Sequence, residues 1–108
     1  MLFVTATPIG NLSDASERLK TTLKEADLIA AEDTRKLRQL AGGLDIKLKA
    51  KVVSVNDTNE REQVEQLANL AKTSKVVLVS DAGMPTISDP GYNLVKHCHE
   101  IGVEVLSI

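Results

Sequence analysis

The sequence has almost no aromatic residues, a single cysteine and no excess of positive charge. Its 108 residues contain one Phe, one Tyr and no Trp, although 43% of the chain is apolar. The core must therefore be built from Val, Leu, Ile and Ala, as in sheets buried on both faces. A lone Cys98 excludes an intramolecular disulfide and fits a reducing, cytoplasmic setting. Thirteen Lys and Arg against fifteen Asp and Glu leave a net charge of −2, which excludes the basic field of a stand-alone nucleic-acid binder. Any RNA substrate would need most of its positive partner charge from elsewhere. There is no basic leader followed by an apolar stretch and no run long enough to span a bilayer, so the expected setting is cytoplasmic, with no membrane partner. Internal repeats, linkers and low-complexity tracts are absent too, and 108 residues suit one domain.

What is present is an alternation of two hydrophobic periods. Leu2–Ala6, Leu28–Ala31, Val52–Val55, Val76–Val79 and Val103–Ile108 read as strands. Between them, helical stripes recur. Leu19, Leu23 and Ala26 follow an Asp14/Glu17 capping box, and a helix over Thr34–Leu40 ends at Gly42-Gly43. Val64, Leu67, Ala68 and Ala71 follow an Asn59 cap, and Leu94, Val95, Cys98 and Ile101 precede a stop at Gly102. Five strands joined by four helices predict an α/β fold: a doubly wound, mainly parallel five-stranded sheet flanked by four helices. The chain ends on the fifth strand with no helix after it, which leads us to expect a piece of a longer enzyme.

In such a sheet ligands bind beyond the carboxyl ends of the strands. The loops there are Thr7–Leu12, Glu32–Arg35, Asn56–Glu60 and Ser80–Gly91, and they hold all three prolines and most of the distinctive acids. The fourth is the most informative. At twelve residues it far exceeds the usual ~2–6 of an α/β connection. Gly83 permits close approach of a ligand, and Asp81 leaves the strand with its carboxylate available to a ribose or amino group. The first loop has neither G-x-G-x-x-G nor G-x-x-x-x-G-K-[ST], so dinucleotide and P-loop sites are excluded. The opposite edge carries Lys47, Lys49, Lys51, Lys72 and Lys75.

Several residues have readings on both sides. Glu32 and Asp33 are adjacent carboxylates at a strand end, suited to orienting a substrate or accepting a proton. They are equally suited to a helix start with Arg35 as partner. Asn59 and Glu60 carry the same ambiguity. His97 and His99 are two apart on a helix and do not share a face, so no metal site is expected, and both read as solvent-exposed. Cys98 reads as a small core residue.

Thr5-Ala6-Thr7-Pro8-Ile9-Gly10-Asn11-Leu12-Ser13-Asp14, Ala30-Ala31-Glu32-Asp33-Thr34-Arg35 and Val79-Ser80-Asp81-Ala82-Gly83-Met84-Pro85-Thr86-Ile87-Ser88-Asp89-Pro90-Gly91 resemble the three signatures of the ribosomal RNA small-subunit methyltransferase I family, whose members share their fold with the tetrapyrrole methylases. The resemblance implies that this chain is a single S-adenosylmethionine-binding domain, the amino-terminal one of two, and that it is inactive without the second. It implies cofactor contacts at Pro8, Asp81, Ala82, Gly83, Thr86 and Ile87, and substrate-side roles for Asn11, Arg35, Asn59 and Glu60. Glu32 and Asp33 are the nearest candidates for a base. The implied substrate is a cytidine ribose 2′-hydroxyl of 16S ribosomal RNA in the small subunit, acted on by a homodimer. Asn56 and Thr58 stand where histidines are common in the family, and Met84 where threonine is usual. A tetrapyrrole methyltransferase of the same fold is the alternative. A receiver-like signalling domain is the remote one, but it needs an acidic pair after strand one and a lysine after strand five.

Overall fold

The computed structural model describes residues 1–6, 16–55, 60–80 and 89–108. The elements alternate as β1 (Leu2–Ala6), α1 (Glu17–Glu25), β2 (Leu28–Ala31), α2 (Thr34–Gly43), β3 (Lys51–Ser54), α3 (Glu60–Ala71), β4 (Val76–Ser80), α4 (Asp89–Glu100) and β5 (Val105–Ser107). Every strand pair is parallel, and the order across the sheet is β3-β2-β4-β1-β5.

That order explains how the helices divide. From β1 the chain passes β4 to reach β2 and then steps out to β3. It returns past β2 to β4, then passes β1 to β5. The first two crossovers run toward one edge and the last two toward the other. Crossovers of one hand then place α1 and α2 on one face and α3 and α4 on the other. The core divides accordingly. Leu19, Leu23, Leu37 and Leu40 pack with Ile29, Val77 and Val79. Val64, Leu67, Leu94 and Cys98 pack with Leu2, Val76 and Leu78. β4 is buried at all five positions because both of its faces are covered. Each fully buried aliphatic side chain there contributes about 1.5–3 kcal/mol.

The helix ends differ from expectation in instructive ways. α1 is capped by Ser16, whose Oγ accepts the Leu19 N–H at 3.0 Å, rather than by an Asp14/Glu17 box. Ser is as good a cap as Asp and stands nearer the first apolar position, so Glu17 becomes the first helical residue and pairs with Lys20 at 3.2 Å. Asp14 lies outside the described residues. Gly42 and Gly43 do not terminate α2. They form its last turn, and the left-handed position falls on Asp45 at φ 55°. The Asp45 N–H donates to the Gly42 carbonyl at 3.2 Å and the Ile46 N–H to that of Ala41 at 3.0 Å, which is the double closure of a Schellman end. α4 ends the same way but with the expected glycine. Gly102 has φ 78°, its N–H reaches the His99 carbonyl, and Val103 N–H reaches that of Cys98 at 2.8 Å. Strand limits shift by one or two residues from the reading of the sequence: β3 ends at Ser54 and β5 begins at Val105, with Val55 and Val103 buried just outside them.

Candidate functional site

The carboxyl ends of the strands lie level. Thr5, Val79, Ala31 and Ser54 form one row across the sheet, and Ala6 pairs with Ser80 in the next. The Glu32 N–H donates to the Val79 carbonyl at 3.2 Å and the Val55 N–H to that of Ala31 at 2.9 Å, so the ladder persists to the point where the chain leaves the sheet. The four loops singled out from the sequence therefore open from one edge.

Within that edge β1 and β4 are neighbours, yet the chain leaves them in opposite directions, toward β2 and toward β5. A crevice opens where two adjacent parallel strands send their connections apart, and this is where open α/β sheets bind ligands. The segments 7–15 and 81–88 both start at this crevice, one strand spacing apart, about 4.8 Å. Pro8, Asn11, Asp81, Ala82, Gly83, Thr86 and Ile87 belong to those segments, and they and Asn59 lie outside the described residues, as does the side chain of Glu60. The strand ends from which segments 7–15 and 81–88 leave the sheet are placed, side by side at Ala6 and Ser80.

The floor of the crevice is a polar pair that the reading of the sequence missed. Thr5 and Ser80 are 5% and 6% exposed, the buried polar residues of the described chain. Ser80 is the last residue of β4, not the first of a loop, and its Oγ donates to the Thr5 carbonyl at 3.4 Å. The hydroxyl ties the two strands together just before they part. Each is a lone polar residue in an otherwise apolar strand run, and nothing local in the sequence pairs the two.

Glu32 and Asp33 follow β2 directly and are both half-buried. Their roles separate. Asp33 is the N-cap of α2, its Oδ1 accepting the backbone N–H groups of Arg35 at 3.0 Å and Lys36 at 3.2 Å. Of the salt bridge and N-cap expected at this helix start, the cap is the part the structure shows. Glu32 takes no part in that cap, and its backbone places it one strand from Ser80. Gln63 of α3 donates to the Ser54 carbonyl and closes the end of β3.

Outside the crevice, Cys98 is fully buried, and that burial pushes its thiol up from the ordinary range, as a core residue requires. His99 is exposed as expected. His97 is instead half-buried, with its Nδ1 3.6 Å from a Glu100 carboxylate oxygen, because position 97 flanks the α3–α4 contact. Among the described residues no three His, Cys, Asp or Glu side chains converge as metal ligands, and no helix is long and apolar enough to cross a membrane.

The profile of a protein family described as tetrapyrrole (corrin/porphyrin) methylases matches residues 1–107. The chain is 47% identical over 105 residues to a Thermotoga maritima protein named ribosomal RNA small subunit methyltransferase I, covering 96% of this chain and 46% of that protein. Proteins of the same name from Mycobacterium bovis and Escherichia coli O157:H7 are 50% and 44% identical, over 96% and 99% of this chain and 37% of each relative. The chain thus spans less than half the length of these relatives. A solved structure of diphthine synthase superposes with a TM-score of 0.67 over the whole chain and 43% of its own, at 19% identity, a likeness of fold alone.

Proposed function

Because the chain belongs to the tetrapyrrole methylase family, we propose that it is the amino-terminal domain of an S-adenosylmethionine-dependent methyltransferase acting on small-subunit ribosomal RNA. The observation that carries this reading is the identity of 44–50% to relatives bearing that name, over 96–99% of the chain. Relatives at that level favour RNA over a tetrapyrrole as the substrate. The cofactor reading is supported by the crevice between β1 and β4. When bound there, S-adenosylmethionine supplies an electrophilic methyl group.

The chain's residues have four tasks. The two walls of the site are assigned to the segments that follow β1 and β4: Pro8 is the cofactor contact in the first, and Asp81, Ala82, Gly83, Thr86 and Ile87 are those in the second, where Gly83 sets no side chain against a ligand. The Thr5–Ser80 bond holds the two walls in register, which matters because methyl transfer to a hydroxyl is an in-line displacement that depends on alignment. Glu32 accepts the proton of the attacking hydroxyl, while Asp33, engaged as a helix cap, positions Arg35 at the start of α2. Asn11, Asn59 and Glu60, the last at the start of α3, complete the substrate side.

The finer reading is that the hydroxyl is the ribose 2′-OH of a cytidine in 16S RNA, methylated on the intact small subunit by a homodimer in the cytoplasm. The full-length enzyme should be incubated with labelled S-adenosylmethionine and unmodified 30S subunits, and the RNA digested to nucleosides. Label in 2′-O-methylcytidine is the expected result. Label confined to a base would overturn the ribose assignment, and label on a tetrapyrrole but not on RNA would overturn the substrate class.

A further inference from the structure

The edge of the sheet opposite the crevice carries an arrangement that methyl transfer does not use. Between α2 and β3 the residues alternate in burial. Ile46, Leu48 and Ala50 pack against the α1–α2 core, while Lys47, Lys49 and Lys51 are exposed. This alternation exposes the three lysines at every second position of the segment. Lys24 from the end of α1 and Lys75 from the entrance to β4 join Lys47 and Lys49 around one open hollow of about 660 Å³.

Two carboxylates share this hollow, and both are committed. The Asp27 carboxylate accepts the Lys75 backbone N–H at 2.8 Å while the Asp27 N–H returns a bond to the Lys75 carbonyl. A Glu25 oxygen stands 3.4 Å from the Lys75 ammonium. Lys24, Lys47 and Lys49 are left without an acidic partner among the described residues. Protection of the edge strand β3 would account for lysines beside β3. It does not account for lysines from α1 and β4 converging on the same hollow. Like charges drawn together at a surface favour an anion, and lysines contributed by three separate elements favour one that carries several charges.

We infer that the Lys47–Lys49–Lys51 row, with Lys24 and Lys75, is a contact surface for RNA backbone phosphates away from the reacting ribose. This rests on the RNA reading above and deepens it. It gives the domain a positive surface despite its net charge of −2. No principal dimension of the chain exceeds 36 Å, so a ribosomal subunit is large enough to meet both edges. Lysine contacts to phosphate add affinity and position without reading sequence.

The test uses the full-length enzyme and 30S subunits over a salt series. Three proteins are compared: the wild type, Lys47→Gln/Lys49→Gln/Lys51→Gln, and a control of equal charge change on the other helices, Lys20→Gln/Arg61→Gln/Lys96→Gln. Loss of about two to three from the slope of log affinity against log salt is expected for the first triple, roughly one per phosphate contact removed, with little change in the control. Cofactor affinity and melting temperature should be the same in all three. An unchanged slope in the first triple, beside a wild type that binds and methylates the subunit, would overturn the phosphate surface and leave the RNA reading standing. Equal losses in both triples would overturn it as well, since net charge alone would then be responsible. If the wild type neither binds nor methylates the subunit, the RNA reading falls and this inference with it. Weakened binding of the first triple to poly-glutamate would then assign the row to an acidic protein.

Discussion

The Ser80 hydroxyl donates to the Thr5 carbonyl at 3.4 Å, in the interior, at the point where two adjacent parallel strands end. The bond joins residues 75 apart in sequence and lies under the crevice from which both proposed cofactor segments leave. Ser80→Ala removes the donor but leaves an acceptor already held in the strand ladder, so its cost to folding should be small, about 0.5–1.5 kcal/mol. Its cost to the cofactor site should be larger than that stability loss suggests. Titration of the full-length Ser80→Ala protein with S-adenosylhomocysteine is expected to show weakened binding. Unchanged affinity would mean that the tie between the strands has no bearing on the site.

The separation of Glu32 from Asp33 gives a paired prediction. Glu32→Gln should lower the methyl-transfer rate by about 10²–10⁴, the usual contribution of a general base, while leaving cofactor affinity unaltered. Asp33→Asn should preserve activity, because Asn caps a helix as well as Asp does. Asp33→Ala should lose about 1 kcal/mol of stability. Single-turnover rates and urea unfolding measure both. A strong loss of rate in Asp33→Asn with full rate in Glu32→Gln would reverse the assignment.

Gly102 supplies a test of backbone chemistry. Nothing lies within 4 Å of a Cβ placed there, so Gly102→Ala meets no clash and its cost is the left-handed conformation alone. That cost is about 1–2 kcal/mol. A fall in melting temperature of about 4–8 °C per kcal/mol is expected. Asp45 already bears such a conformation with a side chain, so Asp45→Gly should leave stability equal or slightly higher.

Cys98 predicts a pH effect. Burial raises its thiol in the folded state, so the unfolded chain deprotonates first as pH rises. The favourable contribution is complete below the unfolded value, near ~8.5, and declines as pH climbs from there toward the folded value. Urea unfolding at neutral and alkaline pH should show this decline, and Cys98→Ala, less stable overall because of the lost volume, should not. Iodoacetamide should label the folded wild type only at the rate of opening.

Much of the fold was legible because its determinants are local. The Val76–Val79 run could only be a strand covered on both faces, and the helical stripes recur at the spacing of one face. The caps were less legible, since Ser16 and Asp14 are equally good caps and only the position of Leu19 chooses between them. Asp45 took a place that two glycines seemed to reserve, because packing of Ile46 against the core sets where α2 ends. The Thr5–Ser80 pair was invisible for a different reason. It depends on β4 entering between β1 and β2, a non-local choice that no window of sequence contains. That the loops after the strands share one edge follows from the parallel order alone.

If the crevice between β1 and β4 binds the methyl donor, calorimetry on the full-length enzyme will register it. S-adenosylmethionine should be titrated into the full-length enzyme and its Gly83→Val variant, with melting temperatures measured on both. A branched side chain at the turn would occupy space the ligand needs, so we predict binding to the wild type and an affinity at least about tenfold lower, ~1.4 kcal/mol, in a variant that still folds. Equal affinity in the two proteins would contradict the claim and move the cofactor to another part of the enzyme.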